Sequence, residues 1–350
     1  VRICVFPYQI VVPSQIWNAN RRSRSVLPSR SVDPRPVSRG ELSGGRPDPL
    51  AELSGVFRDR PATFNTATRV PSAMTIRGVI FDVDGTVVRG DDPLPGAAAG
   101  IAAVDDAGLG RLFVSNNPTK PPEAYEARLG RAGIPVDADE VITAGSVTAR
   151  YLATHHPHEA VAVVGEPGLV DLIRAAGVSA TAVGTGDGPD DWGVSADGGA
   201  DRPDVLVASI DREFHYDTLR RCLWLLSDSS VTFLGTDPDV VIPAPDADVP
   251  GSGAVIGAIA NVAGRDPHTM LGKPSTTMRD AVLERLGLDP EEILIVGDRL
   301  DTDVALGEAT GMTTALVRTG VTDDAALSAS PTRPDHVLDS LASLPSILPE

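Results

Sequence analysis

The sequence predicts an α/β protein: a parallel sheet flanked by helices, with a second α/β segment inserted into it. Three observations carry that expectation. Short apolar runs (Val79-Ile80-Phe81, Leu112-Phe113-Val114, Ala160 to Val164, Ile293 to Val296) alternate with helical patterns along most of the chain, which is the rhythm of strands covered by helices. The rhythm of the first part returns in the last third, and the middle repeats it independently. Polar loops at 155–160 and 264–269 offer hinges between the two.

In order along the chain, residues 1–73 differ from the rest: rich in Pro, Ser and Arg, with no sustained periodicity. The apolar stretch from Ile3 to Trp17 is broken by Pro7 and Pro13, and the cluster Arg21, Arg22 and Arg24 follows it instead of preceding it, unlike a secretory signal. This segment reads as disordered, or as upstream sequence translated from a misassigned start, since Met74 is the first methionine. A regulatory tail is the competing reading.

From Ile76 the elements follow one another: a strand ending at Phe81, a helix from about Pro95 stopped by Gly108, a strand at 112–114, and helices at 122–132 and 145–155. The middle gives a strand at 160–164, a helix to Gly177, a Gly- and Asp-rich loop at 184–203, a strand at 204–210, a helix at 216–228, a strand at 231–235 and a helix from Gly251 to Ala263. The last third gives a helix at 276–286, a strand at 293–296, a helix from about Thr302 and a strand at 314–317. The expected division is 1–73 as an extension, 74–157 with 269–350 as the core, and 158–268 as the insert.

Composition bounds the function. Apolar residues make up 42% of the 350, enough for a sizeable core, and aromatics only 4%, so that core is Ala, Val, Ile and Leu. A net charge of −18 speaks against nucleic-acid binding. Residues 1–73 carry 11 Arg against 5 acids, so the remainder is more acidic still. Lysine is nearly absent, with only Lys120 and Lys273; an acidic, lysine-poor surface suits high salt, where self-repulsion is screened, the competing reading being an ordinary acidic protein from a GC-rich genome. Cys4 and Cys222 show no paired spacing, which points to a reducing, cytoplasmic setting without disulfides. No run of 18 apolar residues predicts a membrane span.

Four motifs carry chemistry. Asp82-Val83-Asp84-Gly85-Thr86 follows an apolar strand directly, where ligands bind in parallel sheets. Asp82 can attack phosphorus and form an aspartyl-phosphate. Asp84 can protonate the leaving oxygen and then accept a proton from water, and Gly85 allows the turn that brings both to one centre. Read blandly, the segment is a solvated acidic turn. Ser115-Asn116-Asn117 follows the next strand; its hydroxyl and backbone N–H groups suit a phosphoryl oxygen, although Ser and Asn also make ordinary turns. Gly272-Lys273-Pro274-Ser275 holds one of two lysines just before a helix, where a compact cation suits an anion; Lys120 better fits an incidental surface lysine. Asp298 to Asp303 follows the strand at 293–296, and Asp298 with the first acids can supply oxygens to magnesium. Its spacing does not match a calcium loop.

Taken in this order, the four motifs resemble the haloacid dehalogenase (HAD) superfamily over about residues 76–345. The large insert between Ser115 and Lys273 resembles the cap of subfamily IIA (the C2 type), with 4-nitrophenylphosphatase-like enzymes, amino-sugar-operon sugar phosphatases, and phosphoglycolate and pyridoxal phosphate phosphatases. Gly165-Glu166-Pro167-Gly168 and Thr236-Asp237-Pro238-Asp239 support that subgroup. Many members carry Asn where this chain has Asp237, which bears on substrate preference. The resemblance implies a Rossmann-like core and a Mg2+-dependent hydrolysis of a small phosphorylated metabolite. It makes Asp82 the nucleophile and Asp84 the acid/base, with magnesium on Asp82, the backbone carbonyl of Asp84 and Asp298. Ser115, Asn116 and Lys273 would hold the phosphoryl oxygens, Asp303 would orient Lys273 or support the metal shell, and Thr236, Asp237 and Asp239 would bring cap contacts to the substrate. The competing functions are a phosphomutase or another HAD phosphotransfer, and a catalytically silent binding protein.

Other features have plainer readings. His155, His156 and His158 sit in a solvated turn near a hinge, metal binding being the minority reading. Gly251-Ser252-Gly253 is a helix start, since it lacks the full dinucleotide-loop pattern. Leu223, Trp224, Leu225 and Leu226 read mostly as core, with Trp224 as an alternative face for a homodimer through the cap.

Overall fold

The structure, a computed structural model, describes residues 75–184, 202–243 and 247–349, all within one unit, Thr68–Glu350. The readings of 1–73, and of most of the 184–203 loop, fall outside the described residues. Two parallel sheets organise the rest. The first is six-stranded and comprises β1 (Gly78–Asp82), β2 (Gly110–Ser115), β3 (Val141–Thr143), β9 (Ile293–Gly297), β10 (Thr313–Val317) and β11 (His336–Leu338), in the order β11-β10-β9-β1-β2-β3. The second comprises β4 (Val161–Val164), β5 (Ala180–Ala182), β6 (Val205–Ala208), β7 (Thr232–Gly235) and β8 (Thr269–Met270), in the order β8-β7-β6-β4-β5. Every neighbouring pair in both sheets is parallel. The second sheet therefore lies wholly within the stretch between β3 and β9, as the insertion predicts.

The central strands are apolar because both faces are covered: all five residues of β1 and of β9 are buried. The helices are α1 (Ala97–Asp106), α2 (Pro122–Arg131), α3 (Ala144–His155), α4 (Pro167–Ala175), α5 (Tyr216–Leu226), α6 (Ser252–Ala263), α7 (Thr276–Leu286), α8 (Ala305–Thr310) and α9 (Asp324–Ala329). One apolar cluster runs from the first sheet (Ile80, Leu112, Val114) through Val147, Leu152, Leu169 and Ile173 of α3 and α4 to Val161, Val163 and Val205 of the second. It joins the two sheets.

Within the two sheets, four short strands escape the sequence pattern: β3, β5, β8 and β11. For β3 the reason is physical. Its last residue, Thr143, is also the N-cap of α3, its hydroxyl accepting from the Ser146 N–H at 3.1 Å, so no loop marks the change. The boundary expected at 269 falls inside the second sheet, since Thr269 and Met270 pair with Leu234 and Gly235. The helix expected from about Thr302 begins as a wider turn over Leu300–Val304, hydrogen-bonded i to i+5, before α8. Of the apolar group on α5, Leu225 and Leu226 are buried, Leu223 is exposed, and the Trp224 ring is covered by Arg220 at 4.9 Å.

Candidate active site

Register in the first sheet brings three of the four motifs together. Phe81 is level with Val296 on one side and Phe113 on the other, so Asp82, Ser115 and the Gly297-Asp298 turn leave adjacent strands at the same edge. The fourth motif, just before α7, reaches the same place through a long side chain. Lys273 is 1% exposed, and its Nζ donates to Asp82 Oδ1 at 2.7 Å, Asp303 Oδ1 at 2.7 Å and Val114 O at 2.9 Å. An ammonium has three protons, and all three are engaged.

Asp82, Asp298 and Asp303 are all buried, and one carboxylate oxygen from each lies within 4.8 Å of those of the other two. Asp303 is fully partnered, its Oδ2 accepting from the Arg299 N–H at 3.1 Å. Asp298 Oδ2 accepts from the Val321 N–H at 2.7 Å. Asp82 Oδ2 and Asp298 Oδ1, however, are buried without a hydrogen-bond partner among the described residues. Buried acceptors without donors are rare and costly. Two glycines make room for the Asp298 carboxylate: a Cβ at Gly85, where φ is 99°, or at Gly320 would run into it.

The electrostatics follow from three carboxylates facing one ammonium. Burial lifts Asp82 well above the usual carboxylate range, Asp303 and Asp298 adding to the rise against the pull of Lys273. Burial, then Asp303, pushes Asp298 up to about 7. At Lys273 burial works against the charged form, but Asp303 and Asp82 outweigh it and hold the ammonium above its ordinary value. The cluster is thus short of positive charge. A hard divalent cation, which takes oxygen ligands, fits the two unpartnered oxygens.

Other expected residues are placed differently. Asn116 is buried, and its side chain is turned to the Lys273 backbone. Its Oδ1 accepts from the Lys273 N–H at 2.8 Å and its Nδ2 donates to Lys273 O at 3.2 Å. The carboxamide thus clamps the lysine's backbone, and of Asn116 it is the backbone N–H that is left to meet a phosphoryl oxygen. Ser115 is at the strand end as expected; its Oγ lies 2.9 Å from the Tyr125 hydroxyl and accepts from the Asn117 N–H at 3.1 Å. Asp84 does not join the buried cluster. Its side chain is 49% exposed, and Oδ1 accepts from Arg128 Nη2 at 2.7 Å.

In the second sheet, Thr236 and Asp237 follow β7 and are buried. The Thr236 hydroxyl lies 2.9 Å from both Ser209 Oγ and Asp237 Oδ2, and Asp237 Oδ1 accepts from the Asp239 N–H at 3.3 Å. Both side chains are engaged within the second-sheet segment, by each other and by Ser209 and Ser252. Burial, with Asp239 beside it, pushes Asp237 up to about 7. Asp239 alone of the three turns to the first sheet's site, 3.6 Å from Arg299 Nη2. Tyr125, Arg128, Arg299 and Gly320 were not singled out from the sequence. A faint signal existed for the first two, which sit three apart on α2 and so share a face.

Fold and site define a capped, parallel α/β protein whose central strands end in a carboxylate–lysine cluster. Comparison with known proteins gives the family. The model for haloacid dehalogenase-like hydrolases matches residues 79–179, and one for HAD-hydrolase-like chains matches residues 270–344. The sugar-phosphatase AraL of Bacillus subtilis is 31% identical over 276 residues, covering 78% of this chain and 93% of that protein. The glycerol-3-phosphate phosphatase of Homo sapiens is 32% identical over 290 residues, covering 76% and 89%. Among solved structures, the p-nitrophenyl phosphatase from Archaeoglobus fulgidus superposes with a TM-score of 0.69 at 32% identity, over 78% of this chain and all of that one. The chain belongs to the haloacid dehalogenase-like hydrolases, and its relatives match subfamily IIA.

Proposed function

We propose that this protein is a magnesium-dependent phosphatase that hydrolyses small phosphate monoesters through an aspartyl-phosphate on Asp82, the segment bearing the second sheet serving as its cap. One observation carries the reading: two buried carboxylate oxygens, on Asp82 and Asp298, lack donors at the edge where adjacent parallel strands end. The substrate class is supported by relatives named for sugar phosphates, glycerol 3-phosphate and 4-nitrophenyl phosphate.

Asp82 and Asp298, with the backbone carbonyl of Asp84, would hold the metal, which when bound neutralises phosphoryl charge and so allows an anionic carboxylate to approach. Lys273 offsets part of the charge on Asp82 and is itself fixed by Asp303 and by the Asn116 clamp. In the first half-reaction an Asp82 oxygen bonds to phosphorus as the ester P–O bond breaks; the bond's electron pair stays on the leaving oxygen, which takes a proton from Asp84. In the second half, water attacks phosphorus, its proton passes to Asp84, and the Asp82–phosphorus bond breaks to release phosphate. Ser115 and the backbone of its turn would meet the phosphoryl oxygens.

The test is phosphate release from 4-nitrophenyl phosphate by the full chain, with magnesium and with EDTA. Turnover is expected only with the metal, and Asp82→Asn is expected to lower it by on the order of 10³ or more. Turnover retained by Asp82→Asn overturns the mechanism.

A further inference from the structure

Asp84 presents a physical problem. A side chain about half exposed has little packing to hold it, yet an acid/base must sit within hydrogen-bond reach of the proton it transfers. What fixes it lies on α2. Arg128, whose side chain is only 16% exposed, gives Nη2 to Asp84 Oδ1 at 2.7 Å. The guanidinium is anchored in turn: Nε donates to Gly90 O at 2.9 Å, Nη2 also donates to Gly90 O, and Nε lies 3.6 Å from Asp91 Oδ1. Gly90 and Asp91 sit in the turn of a small hairpin, Val88–Arg89 with Asp92–Pro93, directly after the Asp84 motif. The guanidinium also stands over the Tyr125 ring at 5.7 Å, and the Tyr125 hydroxyl is the partner of Ser115 Oγ at 2.9 Å.

Ser115, Tyr125, Arg128 and Asp84 thus form one continuous run of contacts along a single face of α2. It leads from the serine beside the nucleophile to the acid/base. The arrangement also divides the cations: Lys273 serves Asp82 and Asp303, while Arg128 serves Asp84, so the two acids two residues apart do not compete for one ammonium.

We infer that Arg128 is a positioning residue for phosphoryl transfer, acting through Asp84 by fixing where its carboxyl group meets the leaving oxygen. The inference rests on the proposed phosphatase reaction. In the step concerned the Asp84 proton moves to the leaving oxygen as the P–O bond breaks, so its importance grows with the basicity of the leaving group. Phenyl phosphate and 4-nitrophenyl phosphate differ little in shape, but phenolate is the more basic and needs the proton more.

The experiment measures kcat/KM, which reports the first half-reaction, for both esters in the wild type, Arg128→Ala and Arg128→Lys. Arg128→Ala is expected to lose about tenfold or more on phenyl phosphate and less than about threefold on 4-nitrophenyl phosphate, with Lys restoring most of the phenyl phosphate rate. In an Asp84→Asn background, adding Arg128→Ala is expected to change neither rate by more than about twofold. Equal losses on the two esters, no loss on either, or losses that add to those of Asp84→Asn overturn the inference. Arg128→Gln, which keeps an N–H donor, replaces the Ala variant if that protein melts early, and the same difference between esters must appear. A wild type that hydrolyses neither ester removes the phosphatase reading itself, a result distinct from an active wild type indifferent to Arg128.

Discussion

Two strand ends in this molecule look alike and behave differently. In the first sheet, β1 and β9 run into Asp82 and Asp298; in the second, β7 runs into Thr236-Asp237-Pro238-Asp239. Both turns are acid-rich and buried, and both hold an aspartate raised to about 7, Asp298 in one and Asp237 in the other. The difference is in donors. Asp237 accepts from Thr236, from the Asp239 N–H and from Ser252. Asp82 Oδ2 and Asp298 Oδ1 accept from nothing described, and the one such acceptor of the second turn, Asp239 Oδ1, is the oxygen that lies 3.6 Å from Arg299 Nη2 beside the first sheet's site. An acidic turn after a strand is therefore not in itself a site. The site is where buried acceptors outnumber donors and the shortfall is charge.

The contrast is sharpest at Lys273, the one ammonium among three buried acids. Lys273→Met keeps the length of the side chain and removes the charge. It is expected to lower phosphatase turnover by about 10²–10³, the usual cost of losing one such stabiliser. A loss under about tenfold would mean that the metal alone neutralises the cluster.

The second way to test the comparison is stability against pH. Burial holds a proton on Asp298 to about pH 7, whereas an unfolded aspartate releases it near 3.8. Between those values the folded chain binds more protons, so stability should fall as pH rises from about 4 to about 7 and then level off. Asp237 adds to the same slope. Magnesium should relieve only the first-sheet part. Unfolding free energies in EDTA and in magnesium between pH 5 and 8 should therefore diverge with rising pH, by on the order of 1–3 kcal/mol at pH 8. Curves that stay parallel would break the distinction between the two strand ends.

The smallest effect on activity belongs to Asp237→Asn. The change replaces one acceptor oxygen by an NH2 among groups that are themselves donors, so it should cost about 1–3 kcal/mol of stability. Turnover of 4-nitrophenyl phosphate should stay within about threefold of wild type, because the side chain serves its loop. A loss comparable to that of Lys273→Met would return Asp237 to the reacting centre.

Much of this was legible in the chain itself. The alternation of apolar strands with helices, the placing of Asp82, Ser115 and Asp298 immediately after strands, and the isolation of Lys273 in a lysine-poor sequence are local patterns, and local patterns survive in one dimension. Short strands such as β3 and β8 were not legible, because two or three residues carry no period and Thr143 closes a strand while it caps a helix.

The sequence alone determined the two-sheet α/β build, the insertion, and which acids and which lysine could meet. Only the tertiary structure decided what each side chain does once there. Asn116 clamps a backbone 157 residues away, Asp84 leans on an arginine 44 residues away, and Asp237 is supplied with donors by its own loop and by Ser252 while Asp298 is left short of one. The reason is that hydrogen-bond satisfaction and the balance of buried charge are properties of neighbours in space. A residue's type sets what it can donate or accept; only packing sets what remains unpaired.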